Sequence, residues 1–293
     1  MVFEGEGEKL SAGVVRLVET AVKMGHKVDV FFEYSLTLRL DTDQILMSGL
    51  PLPEFDIVLT RPNTYGDPRM RTMLVEAIAK QGIPVINGAA SILEVKNKAH
   101  ASTVLAACGV PMPKTAVIYH EADALKIAEE WGFPLVLKTP YGSAGIGVLL
   151  AESPGSLGSL VEFLRRRAVG NDPVIIQEFI AESQSADHRL LVVGDRVVAA
   201  MKRQGGKGEF RSNWHRGGSV TAYSPTEEEV SLAIKATRSL HLDVAGVDIL
   251  PSKRGPLLLE VNANPGFAGL EQATGLDIAK EIVQYLEAHA RRN

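Results

Sequence analysis

A single cysteine, Cys108, is present among 293 residues. No internal disulfide can form, which excludes a disulfide-stapled scaffold and fits a reducing compartment. Its neighbours Leu105, Ala106 and Ala107 predict that the thiol is simply buried. A basic surplus is also missing. The formal net charge is -4, so the overall balance does not announce nucleic acid, although a local basic patch stays compatible with it. No run of about 18 apolar residues exists, so no membrane-spanning helix is predicted. Met1 to Glu8 carries three glutamates and no apolar segment, which argues against a secretory signal and for a cytoplasmic protein. The seven histidines lack paired zinc-ligand spacing, with His188, His215 and His241 scattered. No G-x-S-x-G elbow occurs, and one cysteine without a nearby histidine is weak material for a thiol nucleophile. Tandem repeats and long low-complexity tracts are absent. What is there is a chain 45% hydrophobic, enough for a sizeable core, whose length by itself suggests two domains.

Apolar residues recur at helical spacing from Ser11 to Lys23 (Val14, Val15, Leu17, Val18, Ala21, Val22), with Met24-Gly25 as the stop. A strand over Lys27 to Phe32, an apolar run over Phe55 to Thr60, a helix over Arg69 to Lys80 and a short strand at Val85-Ile86 follow. This alternation predicts a small α/β domain over residues 1–87. Residues 88–176 read as an α+β lobe. It has helices over Ser91–Cys108, Glu121–Glu130 and Ser156–Arg167, and strands at Leu135–Lys138, Gly147–Ala151 and from Val174. Residues 177–293 begin with a hairpin turning at Gly194-Asp195 and a loop rich in Gly, Lys and Arg from Lys202 to Gly218. A helix from Pro225 to Leu240, a second hairpin and an amphipathic helix from Leu276 to Ala290 complete the chain. The fold class is α/β with α+β character.

The second hairpin carries the strongest chemical signal. Asp248 interrupts Gly246-Val247-Asp248-Ile249-Leu250, and Glu260 interrupts Leu257-Leu258-Leu259-Glu260-Val261-Asn262. A carboxylate in an apolar strand is costly unless a cation or hydrogen-bond donors compensate it. Glu260 and Asn262 stand two apart, hence on one strand face. The turn Ser252-Lys253-Arg254-Gly255 can fold the runs together and set Asp248 across from that pair. Three converging oxygen donors suit magnesium, which often also takes substrate phosphates. The plainer alternative is a pair of solvated strand carboxylates.

Lys138 ends a strand before Thr139-Pro140-Tyr141-Gly142-Ser143-Ala144-Gly145-Ile146-Gly147. Such glycines let backbone N–H groups approach an anion, though an ordinary hairpin turn accounts for them equally well. This is neither a Walker loop, whose lysine follows the glycines, nor a Rossmann fingerprint. Lys98 and the triplet Asp187-His188-Arg189 read by default as surface charges. Arg203, Lys207, Arg211 and Arg216 share one loop that either closes on a polyphosphate through bidentate arginine contacts or is simply solvated.

Along the chain the pieces run Lys98, Lys138 with its glycine-rich turn, Gln177-Glu178-Phe179-Ile180, Asp187-x-Arg189, Phe210-Arg211-Ser212-Asn213-Trp214-His215-Arg216-Gly217-Gly218, Asp243 to Leu250, and Glu260-Val261-Asn262-Ala263-Asn264-Pro265-Gly266. The set resembles the ATP-grasp superfamily, and within it the RimK-type glutamate ligases, over about Asn87 to Glu287. The resemblance implies an ATP-grasp fold. A small N-terminal α/β domain (1–87) precedes a central lobe with a glycine-rich lid (88–176) and a C-terminal lobe with the metal site (177–293). It implies that Lys98 and Lys138 contact ATP phosphates and that the loop from Tyr141 to Gly147, with Gly142, Ser143 and Gly145, folds over them. Gln177, Glu178, Phe179 and Ile180 would form the interlobe hinge and hold adenine, and Asp187 would reach the ribose. Arg211, Ser212 and Asn213 would sit by the triphosphate. Asp248, Glu260 and Asn262 would bind two Mg2+ ions, with Mn2+ able to substitute. Arg189 and Arg211 would serve the transferred phosphoryl group or the substrate carboxylate.

The implied activity is ATP-dependent amide formation through an acyl phosphate, with L-glutamate added to a C-terminal carboxylate, for example of a ribosomal protein. Other acceptors the resemblance allows are free glutamate chains, a deazaflavin coenzyme, a methanopterin or an amino-group carrier protein of lysine biosynthesis. A nucleotide-binding module without turnover is the alternative from another class. The family further implies a homo-oligomer, a tetramer, with neither membrane nor nucleic acid as direct partner. One departure stands out. Family members usually begin with a β-strand, and here only Met1 to Lys9 occupies that place, so the first strand is expected to be missing, shortened or replaced.

Overall fold

The computed structural model describes residues 2–4, 10–61, 68–142, 145–167, 172–206, 208–210 and 218–290. The N-terminal part holds β1 (Val2–Glu4), α1 (Ala12–Lys23), β2 (Val30–Phe32), β3 (Leu36–Arg39), β4 (Gln44–Met47), β5 (Leu50–Pro51), β6 (Val58–Arg61), α2 (Pro68–Lys80) and β7 (Val85–Ile86). Four parallel strands run in the order β2-β1-β6-β7. The first strand is therefore present, shortened to three residues and flanked on both sides. Pairing with two neighbours satisfies its backbone where the glutamate- and glycine-rich local sequence gives little strand preference. Ser11 caps α1 by accepting from the Val14 N–H at 3.3 Å. The small antiparallel sheet β3-β4-β5 was not foreseen, because strands of two to four residues carry little periodicity.

The helix expected over Ser91–Cys108 is two: α3 (Ala89–Lys96) and α4 (Lys98–Ala107). Asn97 adopts extended backbone between them, and its side-chain oxygen accepts from the His100 N–H at 3.1 Å, capping α4. Cys108 is exposed rather than buried. Helical spacing would set position 108 on the buried face of Ala101 and Leu105, but α4 ends at Ala107, and Cys108 at the C-cap lies past the packed turns. Beyond lie β8 (Thr115–Ile118), α5 (Glu121–Trp131), β9 (Leu135–Lys138), β10 (Val148–Ala151), α6 (Pro154–Arg167) and β11 (Val174–Glu178). The strands make an antiparallel sheet ordered β10-β9-β11-β8. α5 and α6 cover it through a core that includes Leu135, Leu137, Leu157, Val161 and Ile176.

The C-terminal sheet is antiparallel in the order β14-β13-β12-β15-β16. Its strands are β12 (Ala186–Val193), β13 (Arg196–Gln204), β14 (Ser219–Ala222), β15 (Val244–Leu250) and β16 (Leu257–Asn262). α7 (Glu227–Ser239) follows β14, and α8 (Ala268–Thr274) and α9 (Ile278–His289) close the chain. Alternation divides β12. Leu190 and Val192 join the core under α7, while Leu191 and Val193 join the core under α8 and α9. Asp187 and Arg189 continue the second face past the roof that α8 and α9 provide, and there the cleft opens.

Candidate active site

Register brings five charged side chains onto that open face. Asp187 pairs with Arg203, Arg189 with Asp248, and Asp248 with Glu260. The triplet Asp187-His188-Arg189, a surface charge run by default, lies inside β12 and is largely buried. Arg189 grips Asp248 through two bonds of 2.7 Å. Arg203 donates to the same carboxylate at 2.8 Å and to Asp187 at 2.6 and 2.5 Å. His188 faces the other way, 2.6 Å from Glu229 and stacked on Tyr223. Burial alone would push the Asp248 carboxyl up. The guanidiniums of Arg189 and Arg203 outweigh it and hold the group below the usual carboxylate range. Burial likewise opposes the charge on Arg203, and Asp248 and Asp187 more than compensate.

A carboxylate offers about four lone-pair sites. Asp248 uses three of them on arginine N–H groups, two on Oδ2 and one on Oδ1. Glu260 is open, 43% exposed, with Lys98 Nζ at 3.7 Å. Asn262 Oδ1 accepts from the Asn264 N–H at 2.9 Å. Gly246 pairs with Asn262, and a Cβ there would lie 3.0 Å from the Pro265 Cβ and 3.9 Å from Arg189 Nε. Only a residue without a side chain lets Arg189 and the loop after β16 approach this closely. The donors are hard oxygens and fit Mg2+. Among the described residues no three carboxylates, imidazoles or thiols form a ready cage, so phosphate oxygens would have to complete the shell.

A cleft with about 850 Å3 of open space, part of it continuous with solvent, separates the central sheet from the C-terminal sheet. Lys98, Lys138, Gly142, Gly145, Gln177, Glu178, Phe179, Ile180, Asp187, Asp248 and Glu260 all border it. Tyr141, Gly147, Arg189 and Asn262 stand outside its lining. Ser143, Arg211, Ser212 and Asn213 lie outside the described residues. Val136, Ile146, Val148, Leu250 and Leu259 supply apolar walls suited to a flat base. Gln177 braces Lys138 by accepting from its Nζ at 2.7 Å and donating to Thr115 Oγ1 at 2.8 Å. Burial pushes the Lys138 ammonium down to about 8, against the pull of Glu260. Glu178 accepts from the Lys114 N–H at 2.7 Å and pairs with the guanidinium of Arg254. The turn Ser252–Gly255 thus ties the C-terminal hairpin to the end of β11.

The break at Asn97 docks on the glycine-rich loop. Lys98 N–H donates to the Pro140 carbonyl at 2.9 Å, Lys98 Nζ to the Gly142 carbonyl at 2.5 Å, and the Asn97 amide to the Tyr141 hydroxyl at 3.3 Å. Gly147 has φ +77°, and a Cβ there would meet Thr139 Oγ1 at 2.5 Å. Two residues escaped the sequence reading. Arg203 belongs to β13 and not to the loop that either closes on a polyphosphate or is solvated, and only the register of β12 and β13 reveals its partners. Lys96 sits in the same field: burial, then Lys98, lower its ammonium to about 8, with Glu260 opposing. No local signal marks Lys96, because the break at Asn97 that separates it from Lys98 shows only in the structure.

Two antiparallel lobes closing on a cleft, lysines on one wall and a carboxylate hairpin on the other, define an ATP-grasp ligase. The chain matches the RimK-like ATP-grasp domain over residues 95–286 and belongs to that family. It is accordingly an ATP-dependent ligase. The ribosomal protein bS6–L-glutamate ligase of Escherichia coli O81 (strain ED1a) is 39% identical over 282 residues, covering 94% of this chain and 91% of that protein. The protein of the same name from Escherichia coli (strain K12 / DH10B) is likewise 39% identical over 282 residues. Among solved structures, a RimK domain ATP-grasp protein from Sphaerobacter thermophilus superposes with TM-score 0.75 at 23% identity, covering 97% of this chain and 99% of that one. The ATP-grasp ligase PsnB with a minimal precursor superposes with TM-score 0.77 at 21% identity, covering 98% of each chain. Both likenesses establish the fold.

Proposed function

We propose that this ligase joins the amine of L-glutamate to the C-terminal carboxylate of a protein, a ribosomal protein of the bS6 type. The observation that supports the chemistry is the single face on which Asp248 and Glu260 oppose Lys98 and Lys138 across the cleft. The choice of substrates is drawn from relatives named for that reaction and 39% identical to this chain.

In this reading an acceptor carboxylate oxygen bonds to the γ-phosphorus of ATP as the bond to the β-bridging oxygen breaks. ADP leaves and an acyl phosphate remains. The glutamate nitrogen then bonds to the acyl carbon, inorganic phosphate departs with the C–O electron pair, and the nitrogen loses its surplus proton to solvent. Lys98 and Lys138 hold phosphates, and the loop Tyr141–Gly147 excludes water that would hydrolyse the acyl phosphate. Arg189 reaches the transferred phosphoryl from its place on Asp248, joined by Arg211, Ser212 and Asn213. Gln177, Glu178, Phe179 and Ile180 hold adenine, and Asp187 the ribose. Asp248, Glu260 and Asn262 would hold two Mg2+, or Mn2+, and the ions would supply charge neutralisation to the triphosphate. The division into residues 1–87, 88–176 and 177–293, a tetrameric assembly and a cytoplasmic location belong to the same proposal. Among the described residues no helix is long and apolar enough to cross a membrane.

The test is incubation of the protein with ATP, Mg2+, L-glutamate and a bS6-type protein, followed by intact-mass measurement. Glutamyl mass increments on the acceptor are expected. Product with another amine but none with glutamate overturns the donor assignment.

A further inference from the structure

Asn87 ends the N-terminal sheet and is 1% exposed. Its side-chain amide makes every hydrogen bond an amide can make. The nitrogen donates to the carbonyls of Val244 at 2.7 Å and Ala263 at 2.8 Å. The oxygen accepts from the N–H groups of Asp243 at 2.8 Å and Val244 at 3.0 Å. Its own backbone carbonyl accepts from Thr60 Oγ1 at 2.6 Å. Val244 opens the strand that carries Asp248, and Ala263 directly follows Asn262. One residue of the N-terminal sheet therefore fastens both strand ends that present the oxygen donors. The loop is held a second time where Arg61, next to Thr60, donates to the Pro265 carbonyl at 3.1 Å.

From these contacts we infer that Asn87 is a positioning residue for the divalent-metal site, acting through Ala263 and Val244 on Asn262 and Asp248; this rests on the metal reading above. No common substitute reproduces the pattern. Aspartate would aim lone pairs at two carbonyls, glutamine is a methylene too long, and alanine leaves two buried carbonyls short of a donor. Partners that orient metal ligands from outside the coordination shell typically change metal affinity by about 10–100-fold when lost.

The experiment measures Mn2+ uptake by the full chain in the presence of a non-hydrolysable ATP analogue, from the electron paramagnetic resonance signal of free Mn2+. Asn87→Asp is expected to weaken uptake by about tenfold or more. Thr60→Val, which removes only the bond to the Asn87 backbone carbonyl, is expected to stay within about twofold of wild type even if its melting temperature falls. Unchanged Mn2+ affinity in a folded Asn87→Asp protein overturns the inference, as does an equal shift in Thr60→Val. If Asn87→Asp does not fold, Ala263→Gly loosens the loop on the other side of the same bond, and unaltered affinity there overturns it too. A wild-type protein that takes up no Mn2+ with nucleotide defeats the metal reading itself, an outcome distinct from wild-type binding that the variants share.

Discussion

Arg203 bridges two buried carboxylates, and its replacement by methionine keeps the apolar stem while deleting the guanidinium. Asp187 then loses both of its bonds to Arg203, at 2.6 and 2.5 Å. Asp248 loses one, at 2.8 Å, and keeps two from Arg189. Removing one partner of a buried ion pair costs about 3–5 kcal/mol, because the remaining charge stays desolvated. That is a large share of a total folding stability of about 5–15 kcal/mol. The cost should depend on pH with a definite sign. Without Arg203, burial raises the Asp187 carboxyl above its unfolded value of about 3.9. An acid whose folded pKa is raised destabilises the fold above the unfolded pKa and is relieved as protons bind. The gap between wild type and Arg203→Met in urea unfolding should therefore narrow from about pH 7 to about pH 5. In the double variant Arg203→Met, Asp187→Leu, most of the loss should return, since an apolar pair carries no desolvated charge. A loss below about 1 kcal/mol, a gap that widens as pH falls, or a double variant no better than the single one would refute this account of the cluster.

Glu260→Ala should abolish ligation while the thermal midpoint stays within about 2 °C of wild type, since the side chain is 43% exposed and removes no core packing; activity near wild type would contradict its role as metal ligand. Lys138→Ala should mainly raise the ATP concentration needed for half-maximal rate, and an unchanged ATP dependence would count against a phosphate contact. Because burial brings the Lys138 ammonium down to about 8, ATP affinity should weaken as pH rises through that value and its charge is lost; Lys138→Arg should move this fall to higher pH. Gly147→Ala should cost about 1–3 kcal/mol in chemical denaturation, as φ is +77° and the new Cβ would lie 2.5 Å from Thr139 Oγ1; a neutral effect would mean the loop relaxes freely.

The carboxylate hairpin was legible because two local rules coincide there. Period-two spacing puts Glu260 and Asn262 on one face, and apolar flanks make Asp248 conspicuous. The turn sets Leu250 opposite Leu257, and a register shift between Ile249 and Asp248, which no local rule announced, brings Asp248 opposite Glu260. The charge cluster behind it was not legible. Asp187, Arg189 and Arg203 are surface residues by default, and only cross-strand pairing turns their charges into mutual compensation. The break at Asn97 was hidden for a related reason. The flanking residues favour helix on both sides, and a distant tyrosine, Tyr141, takes one of the asparagine's bonds. Asn87 carries no local signal at all, because each partner of its side chain lies more than 150 residues away.

The balance of charge around the cleft bears on how nucleotide and metal arrive. Among the described residues that line the cleft, Lys98, Lys138 and Arg203 stand against Glu178, Asp187, Asp248 and Glu260, with Lys96 and Arg189 outside the lining, so the two signs are close to balance. Burial depresses Lys96 and Lys138, the response of ammonium groups taken out of water, while Glu260 pulls both the other way. A bare divalent ion would meet a site whose Asp248 is largely taken up by arginines. A polyphosphate meets the opposite: lysines seeking an anion, arginines able to exchange a carboxylate for phosphate oxygens, and backbone N–H groups of a glycine-rich loop. Metal entering as its nucleotide complex brings both the negative charge that satisfies the lysines and the oxygens that complete its shell. Under the proposed function Asp248 and Glu260 would then supply only the remaining ligands, which is as much as two carboxylates on one sheet face can offer.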